Sequence, residues 1–479
     1  MPGYDVVIKS AGRSSRLRPK RESPFARLAG FAVSLKLSDL PGAVARQARF
    51  LLLDTVGVIL GGSTAPEART LARRLGRPAG GPCTLLGHPL QTSALNAALV
   101  NGTAATWLDF DSGHRPPPGK PLLAAAHPPV HIVPSVLAVG EAANAKGSEI
   151  LMAFVVAYEV GSRIGMASRV GPKMHPHGTY HNISAAVAAA RLTGADPRRM
   201  ERTISLAMHL MLMPSFENAY QGRTVRNTYA GVGAAAGILA SRLAEAGFTP
   251  EENVFDAIFG GVISNWCDRS RLVTGLGETY ELTQGFVKPY PMCRFGHPAI
   301  EAAEGLVRHH SVHPEEIASV EVRTFDLAAT CNEPSPQTEL AAKFSIPWAV
   351  ASVLIRKTAG PDDFRGASLE DPDLRRIAAC VSVVEDPAFT AMAPARRPAW
   401  ITVQTRNGQR FQWEVAGSGG GPDAPLTEDR LKGKFRSLAD PVIGPRRAEA
   451  AVERILHLDE RTGAREVTCC LMPPDRGEN

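Results

Sequence analysis

A chain of 479 residues, 44% hydrophobic and 21% charged, exceeds what one ordinary core accommodates, which predicts two or three folded units without wholesale disorder. The formal charge of +6 comes without a long basic run or interleaved aromatics, which argues against nucleic acid and suits a small acidic ligand. The seven cysteines are odd in number and lack CxxC spacing, which points to reduced thiols in a cytoplasmic protein with no structural metal, and no run of about eighteen uncharged apolar residues marks a membrane span.

Residues 1–24 carry Lys9, Arg13, Arg16, Arg18, Lys20 and Arg21 against Asp5 and Glu22. They lack the apolar core of a secretory signal and read as a basic flexible tail. Residues 25–290 form a helical domain. Apolar residues recur at helical period over 44–61, 93–108, 130–145, 148–166, 184–192 and 229–246, and their alanines and glycines permit close backbone contact. Residues 291–416 form a smaller α+β domain. A helix starts at His297, SIPWAVASVLI is apolar, Val320, Val322 and Thr324 alternate with charged residues, and Asn407-Gly408 marks a hairpin. The glycine-rich stretch 417–422 reads as a linker, and the helices predicted over 427–438 and 445–458 return to the helical domain within a last unit, 417–479. The fold class is mainly α.

Five polar segments stand out. DFDSGH (109–114) follows one predicted helix and AHPPVH (126–131) precedes the next; RPPPGKPLL between them forbids regular structure, so both can reach one loop-lined surface. MHPHGTYHN (174–182) enters an alanine-rich helix, and GRTVRNTYAG (222–231) leads into another. In KPYPMCRFGHPAIEA (288–302), Pro289 and Pro291 disfavour helix before Cys293, while Pro298 sits in the first turn of a helix beginning at His297. Lys288, Arg294 and that helix start suit a carboxylate.

The spacing of His175, His177 and His181 and of Asp109 and Asp111 matches neither HExxH nor a Cys/His zinc site, so no metal ligand is assigned. GxGxxG, GxxxxGK[ST] and GxSxG are absent, so no cofactor is assigned. What remains is general acid/base chemistry on a carboxylated substrate: histidines to move protons, a carboxylate to orient them, and cations to hold negative charge as it shifts.

LLLDTVGVILGG, NGTAATWLDFDSGH, HPPVHIVPSVLAVGEA, HPHGTYHNISAAVAAARLTG, YAGVGAAAGILASRLAEAGFTP, KPYPMCRFGHPAIEA and AAKFSIPWAVA, in this order, resemble the MmgE/PrpD family, which includes 2-methylcitrate dehydratase, cis-aconitate decarboxylase and an iminodisuccinate epimerase. The likeness runs from about residue 35 to the C-terminus. It implies a large all-α domain with a smaller α+β lid domain, a homodimer, and a cofactor-independent site between the domains. By position it implies catalytic roles for Asp109, His127, His175 and Lys288, with Asp109 positioning an imidazole. Arg226, Arg294, His297 and His181 become candidates for substrate binding. Arg226 stands where many members have lysine, Tyr229 where they have histidine, and Ser112 and Gly113 where LDFDDTH is common. The leading expectation is a hydro-lyase acting on a di- or tricarboxylate by abstraction of a proton alpha to a carboxylate. The alternatives are an epimerase or decarboxylase of a related polycarboxylate, and a carboxylate-binding homologue without turnover.

Overall fold

The computed structural model describes residues 23–115, 126–171, 173–264, 266–459 and 461–474. The expectations for residues 1–22 and for the proline-rich stretch 116–125 lie outside the described residues. The chain is mainly α, with one four-stranded sheet, one short hairpin and one long-range pair of two-residue strands.

Five helices, Gly42–Ser63, Ala94–Ala105, Pro129–Ala143, Gly147–Met166 and His181–Leu192, stack with Tyr229–Glu245 around the larger core. Small residues set the spacing. A Cβ on Gly102 would stand 2.6 Å from the Cα of Gly231, so the helices carrying them touch backbone to backbone. The helices Pro24–Ser34, Pro66–Leu75 and Pro197–Met208 were not predicted. Each starts with proline at its first position, but the last two are rich in arginine and low in mean hydropathy, so their apolar content is a weak signal.

The chain returns to this core at its end. Glu428–Ile443 and Pro445–Leu456 lie on Gly42–Ser63. Phe435 is buried against Gly57, where an added Cβ would meet its ring at 2.9 Å. Burying such a side chain contributes about 2 kcal/mol.

The second core is built on the sheet, in spatial order Val381–Glu385, Ile317–Thr324, Ala399–Thr405 and Arg410–Val415, the first pair parallel and the others antiparallel. Ala399, Ile401, Val403 and Thr405 alternate inward as a half-buried strand requires. His297–His309 covers that face and packs on Ile346–Arg356. The predicted hairpin turn holds, with Asn407 Oδ1 accepting from the Gln409 N–H at 3.2 Å.

The glycine-rich stretch is docked. Gly420 accepts the Val287 N–H at 2.9 Å, Gly419 donates to Glu301 at 2.8 Å, and Gly420 has φ +83°, a conformation that favours glycine. A Cβ there would stand 2.0 Å from the Val287 carbonyl oxygen. This strap therefore fixes the backbone just before Lys288. Among the described residues, no helix is long and apolar enough to cross a membrane, and all seven cysteines are free thiols.

Candidate active site

A cleft of about 580 Å³, counting its open mouth, runs between the two cores. Asp109, His127, His175, Arg226, Lys288 and Arg294 all line it. Four of the five segments arrive by short routes from helix ends: Asp109 and Asp111 leave Ala94–Ala105, His127 precedes Pro129–Ala143, His175 precedes His181–Leu192, and Arg226 precedes Tyr229–Glu245. The fifth, with Lys288, follows the strand Gly285–Phe286, which pairs with Gly113–His114 beside the aspartates.

At the floor two carboxylates meet two cations. Asp109 forms ion pairs with Arg226 through Oδ1 and with Lys288 through Oδ2, the latter at 2.9 Å. The Lys288 ammonium also donates to the Asp109 carbonyl at 2.7 Å and to Asp111 Oδ1 at 3.5 Å, which uses its three protons. Arg226 further donates to the Thr106 carbonyl at 3.0 Å. Burial alone would raise both carboxyl pKa values, but the cations outweigh it: Lys288 and Arg226 hold Asp109 below its usual range, and Lys288 and His127 hold Asp111 far below it. Asp109 has φ +49°, strain of roughly 1–3 kcal/mol that turns its carbonyl onto Lys288.

The imidazoles are held in different states. His127 Nδ1 donates to the Ser112 carbonyl at 3.1 Å and stands 2.7 Å from Asp111 Oδ2. Both neighbours are acceptors, so Nδ1 carries the proton and Nε2 is left for the cleft. In His175, Nδ1 accepts the His177 N–H at 3.1 Å, so its proton sits on Nε2. Burial, with the charges of Arg226 and His127, holds His175 well below the ordinary histidine pKa and therefore neutral. One ring is placed to take or return a proton, the other to donate a hydrogen bond.

Two expectations change. Asp111, rather than Asp109, lies against an imidazole, because the left-handed turn at Asp109 faces its carboxylate to Arg226 and Lys288. His181 lies outside the cleft, in the buried first turn of its helix with Nδ1 2.9 Å from Ser184 Oγ. His297 is also set back: its Nε2 donates to the Met292 carbonyl and its Nδ1 accepts from Arg294, each at 3.1 Å. His131 ties two segments together, donating to the His127 carbonyl at 3.2 Å and accepting the Gly178 N–H at 2.9 Å.

Asp111, His127 and His177 bring one ligand-type atom each within 4.8 Å of one another. Lys288 beside Asp111 opposes a divalent cation there by charge.

A model of the MmgE/PrpD N-terminal domain matches residues 26–268, and one of the MmgE/PrpD C-terminal domain matches residues 290–459. The chain belongs to the MmgE/PrpD family. Among its relatives, a cis-aconitate decarboxylase-like protein of Aspergillus oryzae is 24% identical over 92% of this chain and 96% of its own. The cis-aconitate decarboxylase of Aspergillus terreus is 22% identical over 91% and 93%, and that of Mus musculus is 24% identical over 93% of both chains.

Within this MmgE/PrpD chain three polar residues of the site escaped sequence reasoning. Asp111 was visible in the same motif as Asp109, and alternation alone did not say which would face a histidine. Arg397, in APARRPAW, lines the cleft from the second core and carried no signal. Lys434 comes from the C-terminal Glu428–Ile443 helix and donates to the carbonyls of Phe110 at 2.8 Å and Lys288 at 3.1 Å while pairing with Asp54 at 2.7 Å.

Proposed function

We propose that this chain is a lyase acting on a di- or tricarboxylate through its own side chains, and that its reaction is decarboxylation of an unsaturated tricarboxylate of the cis-aconitate class. The observation that carries the reading is the division of labour between the two histidines over an ionised floor. When carbon dioxide leaves, the electron pair of the broken C–C bond delocalises toward a neighbouring carboxylate. The neutral His175, donating from Nε2, receives that charge as a hydrogen-bond donor. His127 acts from its imidazolium form beside Asp111: the Nε2 proton goes to carbon, the neutral ring keeps its proton on Nδ1, and solvent reprotonates Nε2 for the next turnover. The relatives named above favour decarboxylation over the hydro-lyase expectation.

Dehydration is the second reading. It uses the neutral form of His127, whose Nε2 is then a base for a carbon-bound proton, and is favoured by Arg226 and Gly113 in place of the residues common in the family. We expect a homodimer, which light scattering measures.

The test is proton NMR in D2O on chelator-treated protein with cis-aconitate and with citrate-type hydroxy acids. Carbon dioxide release with one deuterium in the product supports decarboxylation, and a new alkene without carbon loss supports dehydration. No turnover of either class, with calorimetric binding retained, would favour a carboxylate-binding homologue instead.

A further inference from the structure

Lys288 and Arg226 have most of their donors committed to Asp109, Asp111 and backbone carbonyls. Two other cations line the same cleft, Arg294 and Arg397, and both also line a second cavity. Among the described residues neither has a carboxylate oxygen within 4 Å. The Arg397 Nε is buried with no hydrogen-bond partner. Arg294 donates to His297 Nδ1, a neutral acceptor. Burial lowers both, Arg294 to about 9 with the charge of Arg397 adding to the effect and that of Glu301 opposing it, and Arg397 to about 10 with Arg115 adding. Arg115, the third cation at this mouth, is paired with Asp423 at 2.7 Å. The chain that continues from Arg115 over residues 116–125 contains Lys120 and no acidic residue, so it supplies no counter-charge.

Glu301, which lines the second cavity, acts on Arg294 only from beyond ion-pair distance, so two guanidinium groups that face one cleft with no carboxylate in direct contact form an anion receptor. Their planes are backed by rings, Arg294 over Phe286 at 4.9 Å and Arg397 over Phe295 at 5.9 Å, which leaves their N–H edges for a planar ligand. His297 pins Arg294: its Nε2 proton goes to the Met292 carbonyl, so Nδ1 can only accept. We propose that Arg397 and Arg294 receive a substrate carboxylate remote from the reacting carbon, so that Arg397 sets the preference for a tricarboxylate over a shorter acid. This rests on the polycarboxylate reading above and concerns binding, whereas that reading concerns turnover.

The test is calorimetry of succinate and of propane-1,2,3-tricarboxylate on the full chain and on Arg397→Leu and Arg397→Lys. The wild-type chain is expected to prefer the tricarboxylate, and Arg397→Leu to lose roughly tenfold of that preference, with succinate affinity little changed. Arg397→Lys, which keeps charge without the two-pronged geometry, is expected to fall between. If Arg397→Leu does not fold, the lysine variant decides. A preference equal to wild type in the folded variant overturns the proposal, as does equal loss for both acids. Inorganic phosphate is expected to compete with the tricarboxylate; simultaneous binding of both at full affinity would mean a separate anion site and also overturns it. Loss of the preference in a chain that turns over no polycarboxylate removes the lyase reading alone; turnover with the preference intact removes the receptor alone.

Discussion

Asp111 flanks His127 with Oδ2 2.7 Å from Nδ1, while the aligned hydrogen bond from that nitrogen runs to the Ser112 carbonyl. The carboxylate therefore acts on the ring chiefly through charge, and the carbonyl fixes its tautomer. Asp111→Asn keeps the shape and removes the charge. The expected outcome is a fall in kcat on the order of 10²–10⁴-fold with the tricarboxylate still binding. A kcat within a factor of two of wild type would remove His127 from proton transfer.

His175 tests the other half of the division. His175→Gln replaces a neutral ring that donates from Nε2 with an amide that also donates, whereas His175→Leu removes the donor. Because burial and neighbouring cations keep His175 neutral, it adds no ionisation to the rate profile near neutral pH. We expect the leucine variant to lose about 10²–10³ in kcat and the glutamine variant distinctly less, both with the pH profile of the wild type. A pH limb that disappears with His175 would make it a titrating base.

Much of this site was legible because the segments around it carry residues that a fold alone does not require. Asp109, His127, His175 and Arg226 were each marked by a polar cluster at the end of an apolar helix, and helix ends converge where helices pack side by side; Lys288 was marked by the polar, proline-containing run that leads into the helix at His297. Orientation was not legible. Which aspartate meets a histidine depends on the left-handed turn at Asp109, and His181 turned inward because its ring fills space beside His131, at 5.6 Å between centroids. Arg397 and Lys434 were hidden for a further reason: they reach the site from sequence more than 100 residues beyond Lys288. The charged helices Pro66–Leu75 and Pro197–Met208 escaped because their arginines lower the apolar content of the segment, although the apolar residues they do carry keep helical spacing.

Acid should destabilise the fold from near pH 6.5 downward. His131 is held at about 3 and His88 at about 4, chiefly by burial, and His175, His177 and His297 lie well below their usual value for the same first cause. For each, the unfolded chain binds a proton between the folded value and about 6.5, so stability present above 6.5 is lost as pH falls, by up to about 1.4 kcal/mol per pH unit per histidine. Glu159, raised to about 7 by burial, works in the opposite direction between about 7 and 4.5 and offsets one of them. Urea midpoints at pH 7, 6 and 5 are expected to fall steadily; a midpoint that rises on acidification contradicts the buried neutral state of these rings.

Lys434 holds two strands of the site from behind. Its ammonium reaches Asp54, the Phe110 carbonyl between the two aspartates, and the Lys288 carbonyl, and lies 3.7 Å from the Phe110 ring centroid. Lys434→Met leaves Asp54 buried without its counter-ion, at a cost of about 3–5 kcal/mol, and frees both carbonyls. Stability and kcat should fall together. Adding Asp54→Asn is expected to recover part of the stability but little of the kcat, since the carbonyl anchors stay lost. Full recovery of both would reduce Lys434 to a structural ion pair.

The glycine contact between Ala94–Ala105 and Tyr229–Glu245 couples packing to chemistry, because Asp109 follows the first helix and Arg226 precedes the second. In Gly102→Ala the new Cβ would stand 2.6 Å from the Cα of Gly231, closer than two carbons tolerate, so the helices must move apart. That motion pulls on the Asp109–Arg226 ion pair at their ends. A loss of about 1–3 kcal/mol is expected, with kcat reduced beyond what the unfolded fraction explains. Gly30→Ala provides the contrast. It lies inside the helix Pro24–Ser34 with nothing within 4 Å of the added Cβ, so better helix propensity should stabilise it by about 0.4–1 kcal/mol without touching kcat. Thermal melts and kcat of the two variants should therefore move in opposite directions for stability and diverge for rate. Equal behaviour would mean that the site does not depend on the close approach of these two helices.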